Sequence, residues 1–116
     1  MKRSVLIVED DQELRSMLAH FLTMNDFEII ENDDLHGYDL SLLPDLILMD
    51  NKLTASTGSI NCEVLKNNKY TNHIPVIIIS GSAIEAECMA AGASAFIAKP
   101  FELKKLLHTI HEFMPL

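Results

Sequence analysis

Ser4-Val5-Leu6-Ile7-Val8-Glu9-Asp10-Asp11, residues 4–11, is the stretch on which the reading of the fold turns. Ser4 to Val8 reads as one continuous strand of β-branched and aliphatic side chains, with no alternation of apolar and polar residues. A strand with one wet face would alternate, so this one is expected to be covered on both faces, as in a parallel sheet. The run ends abruptly in three acids, and an amphipathic helix follows. Leu14, Met17, Leu18, Phe21 and Leu22 recur at helical spacing, and Asp10, three residues ahead of Glu13, is the expected N-cap with capping-box character.

The same alternation of strand and helix continues along the chain. Residues 27–31 read as a strand and residues 32–44 as a polar loop with at most a short helix at 38–43. Residues 46–49 read as a second buried strand, ending at Asp50. A Thr/Ser/Ala/Gly loop leads to a helix over 60–69, weakened by Asn61, Asn67 and Asn68. Pro75 introduces the most strand-like run, 76–79. Ser80-Gly81-Ser82 and a short helix over 83–91, closed by Gly92, come next. A small strand at 95–98 ends at Lys99-Pro100, and Leu103, Leu106, Leu107, Ile110 and Phe113 mark a last amphipathic helix. Strands and helices in this order imply a doubly wound α/β fold, with a five-stranded parallel sheet and helices on both faces.

With 116 residues, 48% of them apolar, residues 1–116 are expected to form a single domain able to bury its own core, with no output domain in this chain. Nine basic against seventeen acidic side chains give a net charge of −8, which disfavours direct nucleic acid binding. Apolar runs are short and the N-terminus turns acidic early, so neither a membrane span nor an export signal is expected. Cys62 and Cys88 lie in no C-x-x-C motif, and free thiols in a reducing cytoplasm are the expectation.

In doubly wound sheets, ligands bind beyond the carboxyl ends of the strands. Those ends carry Glu9, Asp10 and Asp11, then Asp50, Ser80 and Lys99. Singly, each has an ordinary reading: Asp as a helix cap or Asx-turn, Ser as a turn hydroxyl, Lys as a solvated surface group. Together at the ends of four strands of one sheet they form a site. Two carboxylates about 4 Å apart repel by about 4 kcal/mol at an effective dielectric near 20, and a divalent cation and a lysine relieve this. Carboxylates without His or Cys favour a hard ion, and magnesium fits. His108 and His111, at i and i+3, lack a third ligand and read as solvated. Met17, Met24, Met49 and Met89 read as core filler, and Cys88 as helix-face packing.

VLIVEDD at the start, LILMD with Gly58 eight residues after its Asp, IPVIIIS and AFIAKPF together resemble the receiver domain of bacterial two-component response regulators, from Val5 to about Phe113. The resemblance implies the flavodoxin-like, receiver-type form of the fold. It implies that Asp50 is the phosphoacceptor, that Glu9, Asp10, Asp50 and the Lys52 backbone carbonyl hold Mg2+, and that Ser80 and Lys99 bind the incoming phosphoryl group. It also implies a switch formed by Ser80 and Phe96 and a cis Lys99–Pro100 peptide. Partners by the same resemblance are a sensor histidine kinase or histidine phosphotransfer protein and a downstream protein. The chain would be cytoplasmic, and no enzyme beyond catalysing its own phosphorylation and dephosphorylation. With no glycine-rich nucleotide cradle, the donor is expected to be a phosphoprotein or small phosphodonor, not bound ATP. Thr54 stands where the family commonly has proline, Phe96 lacks a switch hydroxyl, and the Ser80 to Lys99 segment is about one helical turn short. A non-phosphorylated interaction module on the same fold is the alternative.

Overall fold

The computed structural model describes residues 2–33, 35, 43–52 and 57–115. Along these run β1 (Ser4–Val8), α1 (Gln12–Met24), β2 (Glu28–Asn32), β3 (Leu46–Asp50), α2 (Gly58–Lys66), β4 (Val76–Ser80), α3 (Glu85–Ala90), β5 (Ala95–Ala98) and α4 (Leu103–Phe113). The strands make one parallel sheet in the order β2-β1-β3-β4-β5. The expected doubly wound α/β architecture is therefore present. The expected short helix at 38–43 falls almost wholly outside the described residues, as does Thr54.

The unbroken apolar strands follow from two cores. Val5, Ile7, Leu46, Leu48, Ile77, Ile79 and Ile97 pack in one cluster with Leu18 and Leu22 of α1 and Leu106 and Ile110 of α4. Their chain neighbours Leu6, Val8, Ile47, Met49, Val76 and Ile78 pack in the other with Cys62 and Leu65 of α2 and Cys88 of α3. Successive side chains of a strand point to opposite faces, so a strand between two helical layers must be apolar at every position. Each such side chain contributes about 1.5–3 kcal/mol by leaving water.

Several element ends differ from the expectation. The N-cap of α1 is Asp11, not Asp10: its backbone is extended, and its side chain accepts from the N–H groups of Glu13 and Leu14. Glu13 is thus one position too early for a capping box. β2 starts at Glu28 because Phe27 still belongs to the turn that ends α1, its N–H donating to the Leu22 carbonyl after Asp26 at φ 70°. α2 begins at Gly58 behind a Thr57 cap and ends at Lys66. There Thr71 Oγ1 donates to the Leu65 carbonyl at 2.6 Å and occupies an acceptor that a longer helix would need. α3 covers only Glu85–Ala90, and Gly92, at φ +105°, follows its cap Ala91 in the left-handed conformation expected of it. The Lys99–Pro100 peptide is cis.

Of the methionines read as core filler, Met49 is buried, whereas Met17, Met24 and Met89 are largely exposed. Met24 is the last residue of α1 and is not among the residues that this helix buries, Leu18, Ala19 and Leu22. His108 is solvated, as expected, beside Glu112. His111 is not: it is half-buried, its ring 5.8 Å from that of Phe27 and its Nδ1 3.2 Å from the Met114 carbonyl.

Candidate functional site

From β1 the chain moves to β2 on one side, while β3 lies on the other, so strand order reverses between β1 and β3. A crevice opens at such a reversal beyond the strand ends. Glu9 and Asp10 leave β1 on one side of it, and Asp50 ends β3 on the other. Carboxylate oxygens of Glu9, Asp10 and Asp50 lie within 4.8 Å of one another, the one potential metal-holding group found among the described residues. Asp11, spent on capping α1, stays out of it.

Both oxygens of Asp50 are engaged. Lys99 Nζ donates to Oδ1 at 2.7 Å, and the Lys52 N–H donates to Oδ2 at 2.9 Å. Lys99 Nζ is also 3.7 Å from Glu9 Oε1, so a single ammonium serves two buried acids. Glu9 is anchored by its own N–H to the Asn32 carbonyl at 3.0 Å, and Oε2 accepts from the Asp11 N–H at 3.2 Å.

Burial pushes the Glu9 carboxyl up to about 7. The Asp11 N–H and Lys99 oppose this, while the charge of Asp50 and a hydrogen bond with Asp10 add to it. Burial draws the Lys99 ammonium down, but its hydrogen bond to Asp50 and the charges of Asp50 and Glu9 outweigh that and leave it raised.

Ser80, buried at the end of β4, accepts the Ser82 N–H on its Oγ at 3.0 Å, which leaves its O–H available to donate. Its carbonyl accepts from the Lys99 N–H at 2.8 Å, fastening the ends of β4 and β5 together. Half-buried Phe96 pairs with Ile78 in the sheet. With Ser80, Gly81, Ser82, Ala83 and Ala98 it lines a cavity of about 450 Å³.

The fold thus brings together Glu9, Asp10, Asp50 and Lys99, sets Ser80 and Phe96 around the adjoining cavity, and ties Lys52 to Asp50 through its N–H. Three residues at the site were not singled out from the sequence. Arg15, one turn into α1, bonds the Glu9 carbonyl through Nη1, and its Nε lies 3.6 Å from Glu31. Asn51 accepts the Ser59 N–H on its side chain at 3.1 Å, and Ser59 is buried at the start of α2. Gly58, noted only for its spacing, supplies close approach: a Cβ there would meet Asn51 Cα and the Asp50 carbonyl oxygen at 2.9 Å. Helical spacing from Asp11 could have flagged Arg15, whereas nothing local distinguishes Asn51 from a loop asparagine.

An all-oxygen acidic cluster with one lysine suits a small divalent cation and, against it, an anionic group. The donor set fits magnesium, which prefers carboxylate and carbonyl oxygens and keeps several waters.

Comparison with known proteins agrees. The family model described as the response regulator receiver domain matches residues 5–111. The chain is 32% identical over 123 residues to the phosphate regulon transcriptional regulatory protein PhoB of Klebsiella pneumoniae, covering 98% of this chain and 52% of that protein. It therefore spans about half the length of that relative. The polar-differentiation response regulator DivK of Brucella ovis is 31% identical, with 98% of each chain covered. Among solved structures, the receiver domain of the sensor histidine kinase PA1611 of Pseudomonas aeruginosa, with a magnesium ion coordinated in its active site cleft, superposes with a TM-score of 0.88. It is 20% identical, with 100% of each chain covered. Among the described residues no helix is long and apolar enough to cross a membrane.

Proposed function

The chain belongs to the response regulator receiver family, the signalling modules of two-component systems, and from that premise we propose that Asp50 accepts a phosphoryl group in a magnesium-dependent reaction. The observation that carries the reading is the joining of the Glu9, Asp10 and Asp50 carboxylates to Lys99 at the reversal of strand order. A non-phosphorylated interaction module has no need to bury Glu9 and Asp50 side by side.

Asp50 is the nucleophile. One of its oxygens forms a bond to phosphorus, the bond from phosphorus to the donor breaks, and that electron pair leaves with the donor. The product is an aspartyl phosphate. Lys99, now on Asp50 Oδ1, moves to an oxygen of the phosphoryl group. The Ser80 hydroxyl donates to a second, and the Lys52 N–H steadies the carboxylate. Glu9, Asp10, Asp50 and the Lys52 carbonyl would hold magnesium, which neutralises the acids and the charge developing on the transferred group.

Readout follows from the cavity beside Ser80. As the hydroxyl turns toward the phosphoryl group, the Phe96 ring moves into the space vacated and reshapes the surface of α3 and β5. The donor is a histidine kinase or histidine phosphotransfer protein. An apolar groove lined by Leu14, Met17, Pro100, Phe101 and Leu103, with Lys99 at its edge, supports its docking next to the nucleophile. We place the reaction in the cytoplasm, where buried Cys62 and Cys88 remain thiols.

Incubation with magnesium and acetyl phosphate, followed by peptide mapping after borohydride trapping, tests the assignment. Phosphate on Asp50, absent in Asp50→Asn and without magnesium, is the expected result. Equal labelling of Asp50→Asn would overturn it.

A further inference from the structure

We propose that the Asn51 side chain is a positioning residue for the site: it caps α2 from the end of the sheet and thereby holds Asp50 and Lys52 in place. This rests on the reading of Asp50 given above and adds a residue to it.

The two ends of the loop 51–58 are joined by backbone and side chain together. The Asn51 N–H donates to the Ile79 carbonyl at 3.0 Å, extending the pairing of β3 with β4 by one step, and the Asn51 carbonyl accepts from the Gly58 N–H at 2.7 Å. Its Oδ1 accepts from the Ser59 N–H at 3.1 Å. That N–H lies in the first turn of α2, where no intrahelical acceptor exists. Thr57 Oγ1 accepts from the neighbouring Ile60 N–H, and Asn51 Oδ1 is the acceptor that the Ser59 N–H uses. Ser59 is buried, so an unpaired N–H here would forfeit its hydration without replacement. The same Asn51 oxygen lies 4.0 Å from Sγ of buried Cys88, on α3.

An aliphatic residue after β3 could fill the space but not accept these donors. Asp50 stands one residue before Asn51, and Lys52, whose N–H holds Asp50 Oδ2, one residue after. Gly58 packs so closely on Asn51 that the loop base has no slack. Any shift of Asn51 therefore moves the carboxylate and its neighbouring amide together. Supports of this kind behind a metal site are typically worth 10–100-fold in affinity or activity.

Asn51→Leu and Asn51→Ala remove the acceptor, and Asn51→Asp keeps an oxygen in the same position. The full chain is examined in two ways: amide hydrogen exchange at Ser59 without metal, and the rate of Asp50 phosphorylation by acetyl phosphate at saturating magnesium. In Asn51→Leu and Asn51→Ala we expect loss of Ser59 protection and a rate lowered roughly tenfold. Asn51→Asp should retain the protection and stay within about threefold of the parent rate. Ser59 protection unchanged in Asn51→Ala overturns the proposal, as does lost protection with an unchanged rate. A parent chain that takes no phosphate overturns the reading of Asp50 instead, and the exchange measurement then decides by itself whether Asn51 caps α2.

Discussion

Lys99 Nζ stands 2.7 Å from Asp50 Oδ1, a hydrogen-bonded ion pair between residues 49 positions apart that reaches from the end of β5 past β4 to the end of β3. Asp50 is 6% exposed and Lys99 31%, so the acid depends on the lysine more than the lysine on the acid. The same ammonium faces Glu9. Metal-free, the site is thus an excess of buried negative charge partly offset by one cation.

Lys99→Ala should destabilise the metal-free chain by about 1–3 kcal/mol, because it strands two buried carboxylates and removes a partner that keeps some contact with solvent. Adding Asp50→Asn should recover part of that loss, and millimolar magnesium should stabilise Lys99→Ala more than the parent. Urea melts of the four proteins form a double-mutant cycle. Additive effects would mean that the ion pair has no energetic content.

Glu9 carries a sign that can be read by titration. Its carboxyl is raised from 4.5 to about 7 in the fold, chiefly by burial, so between those values the folded state binds more protons than the unfolded. Its contribution to stability is full below about 4.5 and is lost as pH rises through about 7. Metal-free denaturation midpoints should fall over this range, and Glu9→Gln should flatten the slope. Magnesium, which needs the carboxylate ionised, should bind more tightly as pH rises through 7. An identical slope in Glu9→Gln would exclude Glu9 as its source.

Gly58→Ala sets two effects against each other. Replacing glycine in a helix gains up to about 1 kcal/mol. The new Cβ, however, meets backbone atoms of Asn51 and Asp50 at 2.9 Å, which cannot rotate aside as a side chain could. Such overpacking costs about 1–3 kcal/mol, so the net effect should be destabilising. Slower phosphorylation should accompany it, since the displaced atoms belong to the proposed nucleophile. Thermal melts and acetyl phosphate labelling check both, and a more stable variant would contradict the geometry.

Ser80→Ala should leave Asp50 able to take phosphate, though more slowly, and uncouple it from Phe96. With no hydroxyl on the ring, packing alone holds the inward rotamer, so the two ring positions should lie within a few kcal/mol. Side-chain NMR of Phe96 with and without beryllium fluoride, in the parent and in Ser80→Ala, gives the comparison. The same ring response in both would remove Ser80 from the link.

The architecture was legible because two-sided burial leaves a local mark. β1, β5 and α4 run between the residues expected of them, since each is delimited by a change from apolar to polar or by Pro and Gly. The gathering of residues at the strand ends was legible for a related reason: in a parallel sheet every strand ends on the same side, so Glu9, Asp10, Asp50, Ser80 and Lys99 could be assembled from order alone. Element ends set by hydrogen bonds to distant residues were not. Thr71 stops α2 by bonding Leu65, and Asp11 rather than Asp10 caps α1, a choice between neighbours that depends on which carboxylate the crevice needs.

Sequence by itself determined the strand order's raw material, the two-layer covering and the identity of the acids and lysine, all of which rest on hydrophobic periodicity and charge. Only the tertiary structure decided that one ammonium serves both Glu9 and Asp50, that the Glu9 carboxyl is raised, and that Asn51 reaches Ser59 and Cys88. Those outcomes depend on distances across strands and on exclusion of water, and neither quantity exists until the sheet has formed.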